Sequence, residues 1–255
     1  MNQAERSKQI ERLLMEKGNA SIRYLCSVFS VSEATMRRDI AYLVKDNPQV
    51  KRLHGGVVWE NSSGNLEYMF ELKLHVNHEL KKRLASAILE HIEDEESIVL
   101  DSGTTCLHIA MQLHKKERLR VVSLDVKIAE ELAKYEKIES MIVGGSVRPG
   151  FYSIGDSFAV EMLDHINVDK AIVSADAVHI DKGVTNCAIF EVGVKKKIME
   201  ISDYPILVAD HTKFGKAALY KIADLSQFKL IVTTKELDEG MADQIRDLGV
   251  QLVLA

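Results

Sequence analysis

Apolar positions in the first fifty residues recur at helical spacing. Ile10, Leu13, Leu14 and Lys17 follow one stripe, and Gly18 stands just past its end as a natural stop. Ser21 suits the cap of a second helix that places Ile22, Leu25, Val28 and Phe29 on an apolar side. Ser32 suits the cap of a third, in which Met36, Ile40, Leu43 and Val44 recur at i, i+4, i+7 and i+8. At about 100° per residue, Thr35, Arg38 and Tyr42 fall opposite that stripe, with Arg37 on the flank. The stretch QVKRLHGGVVW, 49–59, has two strand-like pieces around His54, Gly55 and Gly56, a hairpin pattern. A polar Ser-Gly-Asn stretch then opens 60–77, which reads as a linker. HELKKRLASAILEHI follows, with Leu80, Leu84, Ala87, Ile88 and His91 on one helical face.

From residue 97 the period changes. SIVLD, RVVSL, SMIVGG, KAIVSA, PILVAD, KLIVTT and VQLVLA are short β-branched runs with helical stretches between several of them. Continuous runs of this kind belong to buried parallel strands, so the pattern predicts an α/β body with a mostly parallel sheet and helices on both faces. The expected organisation is a winged helix-turn-helix over 1–59, a linker over 60–77 and the larger α/β domain over 78–255.

Composition narrows the class. The chain has 255 residues, 46% apolar and 28% charged, enough for one large core and a small module. It holds no run of eighteen apolar residues, and MNQAERSKQIERLL is too charged for a signal peptide, so the expectation is a cytoplasmic protein without a membrane partner. Cys26, Cys106 and Cys187 lack metal or redox spacing and read as reduced thiols. His75 and His78 stand three apart without a third ligand nearby, so neither a metal nor a cofactor is expected. The net charge of −5 divides unevenly: residues 1–60 carry ten basic against seven acidic groups, and the rest 23 against 31. A basic head can approach a polyanion that an acidic body repels.

Three helices followed by a basic hairpin describe a DNA-reading module. The candidate contacts are Ser21, Ser32, Glu33, Thr35, Arg37, Arg38 and Tyr42 on the helices and Lys51, Arg52, His54, Gly55 and Gly56 on the wing. Arg38 beside Thr35 is placed for base edges, and Arg37 for phosphate. Such modules read paired half-sites, so a dimer or tetramer is expected. In the body, open α/β sheets bind ligands beyond the carboxyl ends of their strands. There the sequence supplies Asp101, Ser102, Gly103, Thr104 and Thr105; Gly144, Gly145 and Arg148; Asp176, Lys182, Gly183, Thr185 and Glu191; and Asp210 and Lys213. A glycine among hydroxyl residues at a helix start suits an anion, and the acidic groups suit sugar hydroxyls.

ERSKQIERLL, VSEATMRRDI and RLHGGV resemble the N-terminal signature of the DeoR family of bacterial transcriptional regulators. LDSGTT, VGGSVRPG, the segment from Val184 through Glu191 to Lys195, and ADHTKFG resemble that family's effector domain, similar in fold to ribose-5-phosphate isomerase. The resemblance implies a regulator, repressing, that binds operator DNA and responds to a phosphorylated sugar. It places the phosphate on Ser102 to Thr105, with Asp101, Arg148, Asp176, Lys182, Glu191 and Lys213 around the sugar. Ser123-Leu124-Asp125 stands where the family often reads TNS, which puts a second contact there in question. The runner-up is an isomerase with an accessory DNA module. Against it, the enzyme's D-G-A-D pattern is here Val173-Ser174-Ala175-Asp176, with one acid missing, so no catalytic residue is expected. A body that only oligomerises is a third reading, disfavoured by SGTT, Arg148 and Lys213 standing together.

Overall fold

Asn2 opens helix α1 (Gln3–Lys17) through a reciprocal cap, its side chain accepting the Glu5 N–H while the Glu5 carboxylate accepts its own. Gly18, at φ 77°, closes the helix in a left-handed turn. A short strand β1 (Asn19–Ser21) follows, which helical periodicity cannot signal. Ser21 then caps α2 (Ile22–Phe29) by accepting the Tyr24 N–H, and Ser32 caps α3 (Glu33–Asp46) by accepting that of Thr35. Ile10, Leu14, Leu25, Met36 and Ile40 are fully buried and form the core between these helices. Val28, expected on the apolar side of α2, is 47% exposed, while Cys26 and Phe29 of the same turn pack against the core.

The hairpin forms as expected, from β2 (Val50–Leu53) and β3 (Gly56–Trp59), and β1 pairs antiparallel with β3 to complete a three-stranded sheet. Gly56 is held by close approach: a Cβ there would lie 2.3 Å from a Leu72 methyl and 2.4 Å from the Ala20 carbonyl oxygen. The computed structural model describes residues 2–53, 55–59 and 70–255, so His54 and most of the expected linker lie outside the described residues. The later part of that linker differs from the expectation. Residues 70–75 form helix α4 (Phe70–His75), with Phe70 and Leu72 buried, and the chain divides into two units after His78.

The second unit opens with α5 (His78–Leu89). It buries Lys81, Leu84, Ala85, Ile88 and Leu89, while Leu80, Ala87 and His91 of the expected face are only partly covered. The buried face lies about one residue round from the apolar one because a lysine stem packs as hydrocarbon, which a polarity count does not register. The chain continues through β4 (Ser97–Leu100), α6 (Thr104–Ala110), β5 (Leu119–Ser123), α7 (Val126–Leu132) and β6 (Ile138–Ile142). A hairpin of β7 (Ser146–Val147) and β8 (Ile154–Gly155) leads to α8 (Ser157–Leu163), β9 (Val168–Ser174), β10 (Ala177–His179) and β11 (Gly183–Asn186). Then come α9 (Val192–Glu200), β12 (Ser202–Val208), β13 (Tyr220–Ala223), β14 (Leu230–Thr233), α10 (Glu239–Asp247) and β15 (Gln251–Leu254).

Seven strands make one parallel sheet in the order β15-β14-β12-β9-β4-β5-β6, and they are the seven runs read from the sequence. The smaller antiparallel sheet, β10-β11-β13, was not legible, because its strands lie in the Gly-, Thr- and Asn-containing stretches that read as ligand loops. From β4 the chain runs outward to β5 and β6, then returns to β9 on the other side. The strand order therefore reverses between β4 and β9, where such sheets open a crevice.

Candidate functional site

In the first unit, α3 presents Arg38 and Tyr42 to solvent. Thr35 is half-buried, its hydroxyl 3.0 Å from that of Ser32. Arg37 is exposed and pairs at 3.2 Å with Glu33, one turn earlier. Lys51 and Arg52 are exposed on β2. A gap of about 530 Å³ separates the starts of α2 and α3 from the wing and α4, lined among others by Arg23, Arg37, Arg52, Glu33 and Glu71. Ser21, Gly55 and His75 line it too. Ser21 and Ser32 spend their hydroxyls as caps. Arg23, not singled out in the sequence, joins the basic lining and reaches Glu71 at 3.7 Å.

One polar contact of this unit escaped the sequence altogether. Asp39, on the inward face of α3 and 1% exposed, accepts a hydrogen bond from Arg6 Nε at 2.6 Å. Periodicity assigns charged residues to the surface, so nothing in the pattern could mark this pair as internal.

In the second unit, the loop after β4 meets the end of β9 at the switch point. Asp101 is 1% exposed and its Oδ2 accepts the Ser174 N–H at 2.8 Å. Lys195, buried on α9, donates to the same oxygen, and the Ser174 hydroxyl lies 2.9 Å from it and from the Ser102 carbonyl. Burial opposes the Lys195 charge, but Asp101, Glu191 and Asp176 outweigh it and hold the ammonium protonated above its usual range. Beside them, the fully buried Asp125 accepts the Gly103 N–H at 2.9 Å and those of Lys127 and Ile128 at the start of α7. Burial raises its pKa to about 6 against the pull of those three donors. Burial likewise pushes the Cys106 thiol up, so it is no nucleophile at neutral pH.

A second cluster gathers on Glu191, in the 3₁₀ turn Ile189–Glu191. It accepts from the Ser153 hydroxyl at 2.8 Å, Asn186 Nδ2 at 2.7 Å and Arg148 at 3.3 Å. Asp176 accepts the Cys187 N–H at 3.0 Å.

The remaining candidates separate. Gly144 is exposed, while Gly145, at φ +141°, lies where a Cβ would meet the Gly155 carbonyl at 2.8 Å. Gly183, at φ +75°, packs against the Ala223 carbonyl, and Lys182 beside it is exposed. Thr185 is buried, donating to the Ala177 carbonyl and accepting the Ala218 N–H. Asp210 caps the 3₁₀ turn His211–Lys213 that carries Lys213, one strand further along the same edge. Lys195, Ser174, Asp125, Asn186 and Ser153 were not among the sequence candidates. For Asp125 a signal existed, since it stands where the resemblance breaks. For Lys195 the only signal was its place at the end of a resembling segment.

Comparison with known proteins divides the chain in the same way. The DeoR-like helix-turn-helix domain matches residues 6–63, and the DeoR C terminal sensor domain matches residues 76–235. A putative sgc region transcriptional regulator of Escherichia coli (strain K12) is 37% identical over 250 residues, covering 98% of this chain and 96% of that one. A glycerol-3-phosphate regulon repressor of Haemophilus influenzae is 29% identical over 254 residues, covering 100% and 98%. Among solved structures, a D-ribose-5-phosphate isomerase in complex with phospho-erythronic acid aligns over 54% of each chain at 19% identity, with a TM-score of 0.41.

Proposed function

The chain belongs to the DeoR family of transcriptional regulators, and we propose that it represses sugar-metabolism genes, its affinity for operator DNA being set by a phosphorylated sugar bound in the body. The head binds the operator, with Arg38 on base edges and Arg37, Arg52 and Lys51 on phosphates. A dimer or tetramer in the cytoplasm presents two heads to paired half-sites.

The observation that carries the effector reading is the state of the loop after β4. Ser102 and Thr104 are 7% and 4% exposed, and their hydroxyls bond no group among the described residues without being sealed from solvent, which leaves them open to a ligand. They stand at the strand-order reversal with Thr105 and the first-turn amides of α6, which have no preceding carbonyl to bond. Gly103 differs from the expectation here, its N–H being taken by Asp125. The anion is held by the hydroxyls and the first turn of α6, with Glu191, Asn186 and Arg148 toward the sugar. That one relative is a glycerol-3-phosphate regulon repressor supports the effector class.

Calorimetry with matched free and phosphorylated sugars tests this. Phosphorylated sugars bind and their free counterparts do not, and Thr104→Val with Thr105→Val abolishes the response while sparing DNA binding. Equal binding of both sugars by the unaltered chain defeats the reading.

The body binds its sugar without converting it. Asp176 spends a carboxylate oxygen on the Cys187 N–H, and the second acid of the isomerase pattern is absent. Ribose-5-phosphate incubated with the protein stays unconverted; turnover that disappeared in Asp176→Ala would reverse the assignment.

A further inference from the structure

Among the described residues, the head contains a buried charge pair that the proposed DNA contacts do not use. Arg6 stands in the first turn of α1 and Asp39 midway along α3, 8% and 1% exposed, joined at 2.6 Å across 33 residues of sequence. Most of the rest between these helices is apolar, Ile10 and Leu14 meeting Met36, Ile40 and Leu43, with the buried Ser7 on α1 and, at the far end of α3, a hydrogen bond of 2.6 Å from Asn47 to Glu11. Stability alone does not account for the pair, since buried ion pairs are commonly no better than well-packed hydrocarbon of the same volume.

What hydrocarbon lacks is direction. Apolar contacts change little when a helix rolls about its axis, whereas a charged hydrogen bond holds only within a narrow range of distance and angle. Asp39 directly follows Arg38, the residue aimed at base edges. At a side-chain radius of about 6 Å, a roll of roughly 20° carries the tip of Arg38 about 2 Å. That is enough to break a bidentate contact with a base. We propose that Arg6 and Asp39 are positioning residues for sequence readout: they fix the roll of α3 against α1, and so the aim of Thr35, Arg38 and Tyr42.

The test uses the full chain and two DNA probes, a duplex that the unaltered protein enriches from a randomised library and a scrambled duplex of the same composition. Arg6→Met with Asp39→Leu replaces the pair by hydrocarbon. Its melting temperature is expected at or above that of the unaltered chain, with scrambled-duplex affinity and its salt dependence unchanged. Its preference for the enriched duplex falls about tenfold, the scale of one lost base contact. Arg6→Lys keeps the charge but not the planar fork, and lowers the preference less, about threefold. A folded double variant that retains the full preference overturns the proposal. So does one that loses affinity equally for both duplexes, the sign of a merely structural role. Should the double variant unfold, undiminished preference in Arg6→Lys overturns it equally.

Discussion

Among the described residues, each unit has a buried ion pair, and the two are used differently. In the head, Arg6–Asp39 sits on the inward side of α3, and Arg37, Arg38, Tyr42, Lys51 and Arg52 are exposed. In the body, Lys195–Asp101 is itself a wall of the candidate site, sharing Ser174 and the fields of Glu191 and Asp176. A surface that meets a polyanion works in water, where counterions are released and side chains reorient. A crevice that meets one small molecule has its charges fixed beforehand, at the cost of desolvation. The body should therefore be fragile where it is functional, and the head tolerant.

The largest expected effect is in the body. Lys195→Met leaves Asp101 buried without its cation, and should cost about 3–5 kcal/mol in urea unfolding of the body as well as the sugar-phosphate response. A loss below 1 kcal/mol would mean that water reaches Asp101 and the contrast with the head fails.

Next is the pH dependence of Asp125. Its pKa is raised by folding from 3.8 to about 6, so its contribution to stability is complete below pH ~4 and is lost as the pH rises through about 6. The shift corresponds to on the order of 3 kcal/mol. Urea midpoints of the unaltered chain between pH 4 and 6 should show this slope, and Asp125→Asn should flatten it.

The head provides the smaller effects. Arg38→Ala should cost ~1–3 kcal/mol of binding to the preferred duplex and relax sequence preference, with melting unchanged. Arg37→Ala removes an exposed pair with Glu33 and should leave stability within about 0.5 kcal/mol. It should weaken all duplexes alike and lower the salt slope by about one, read from gel shifts at two salt concentrations.

Much of this was legible because it obeys a period. Seven β-branched runs gave the seven strands of the sheet, and Ser21 and Ser32 announced their helices by capping chemistry. What stayed hidden was charge placed inside. Asp39 lies on the Met36–Ile40 face and Lys81 on the Leu84–Ile88 face, where a reading that sends charges outward must misplace them. The candidate site was legible by its loops but not by its partners. Asp101 looked like a ligand contact and proves to be occupied by Lys195, 94 residues away. Gly145 and Gly183 were read as ligand-site candidates, and close backbone approaches at both positions already require glycine. Long-range pairing of this kind leaves no local trace in one sequence.

The strand order also sets a sequence of events in time. In the head, the Arg6–Asp39 contact closes a loop of 33 residues, so that unit can complete itself soon after it leaves the ribosome. In the body, β4 waits for β9, Asp101 meets Ser174 across 73 residues, and Lys195 arrives later still. Rates of folding fall as contacts become more distant along the chain, and nascent chains fold from the N-terminal domain onward. A newly made molecule thus completes its helix-turn-helix head before its sensor body.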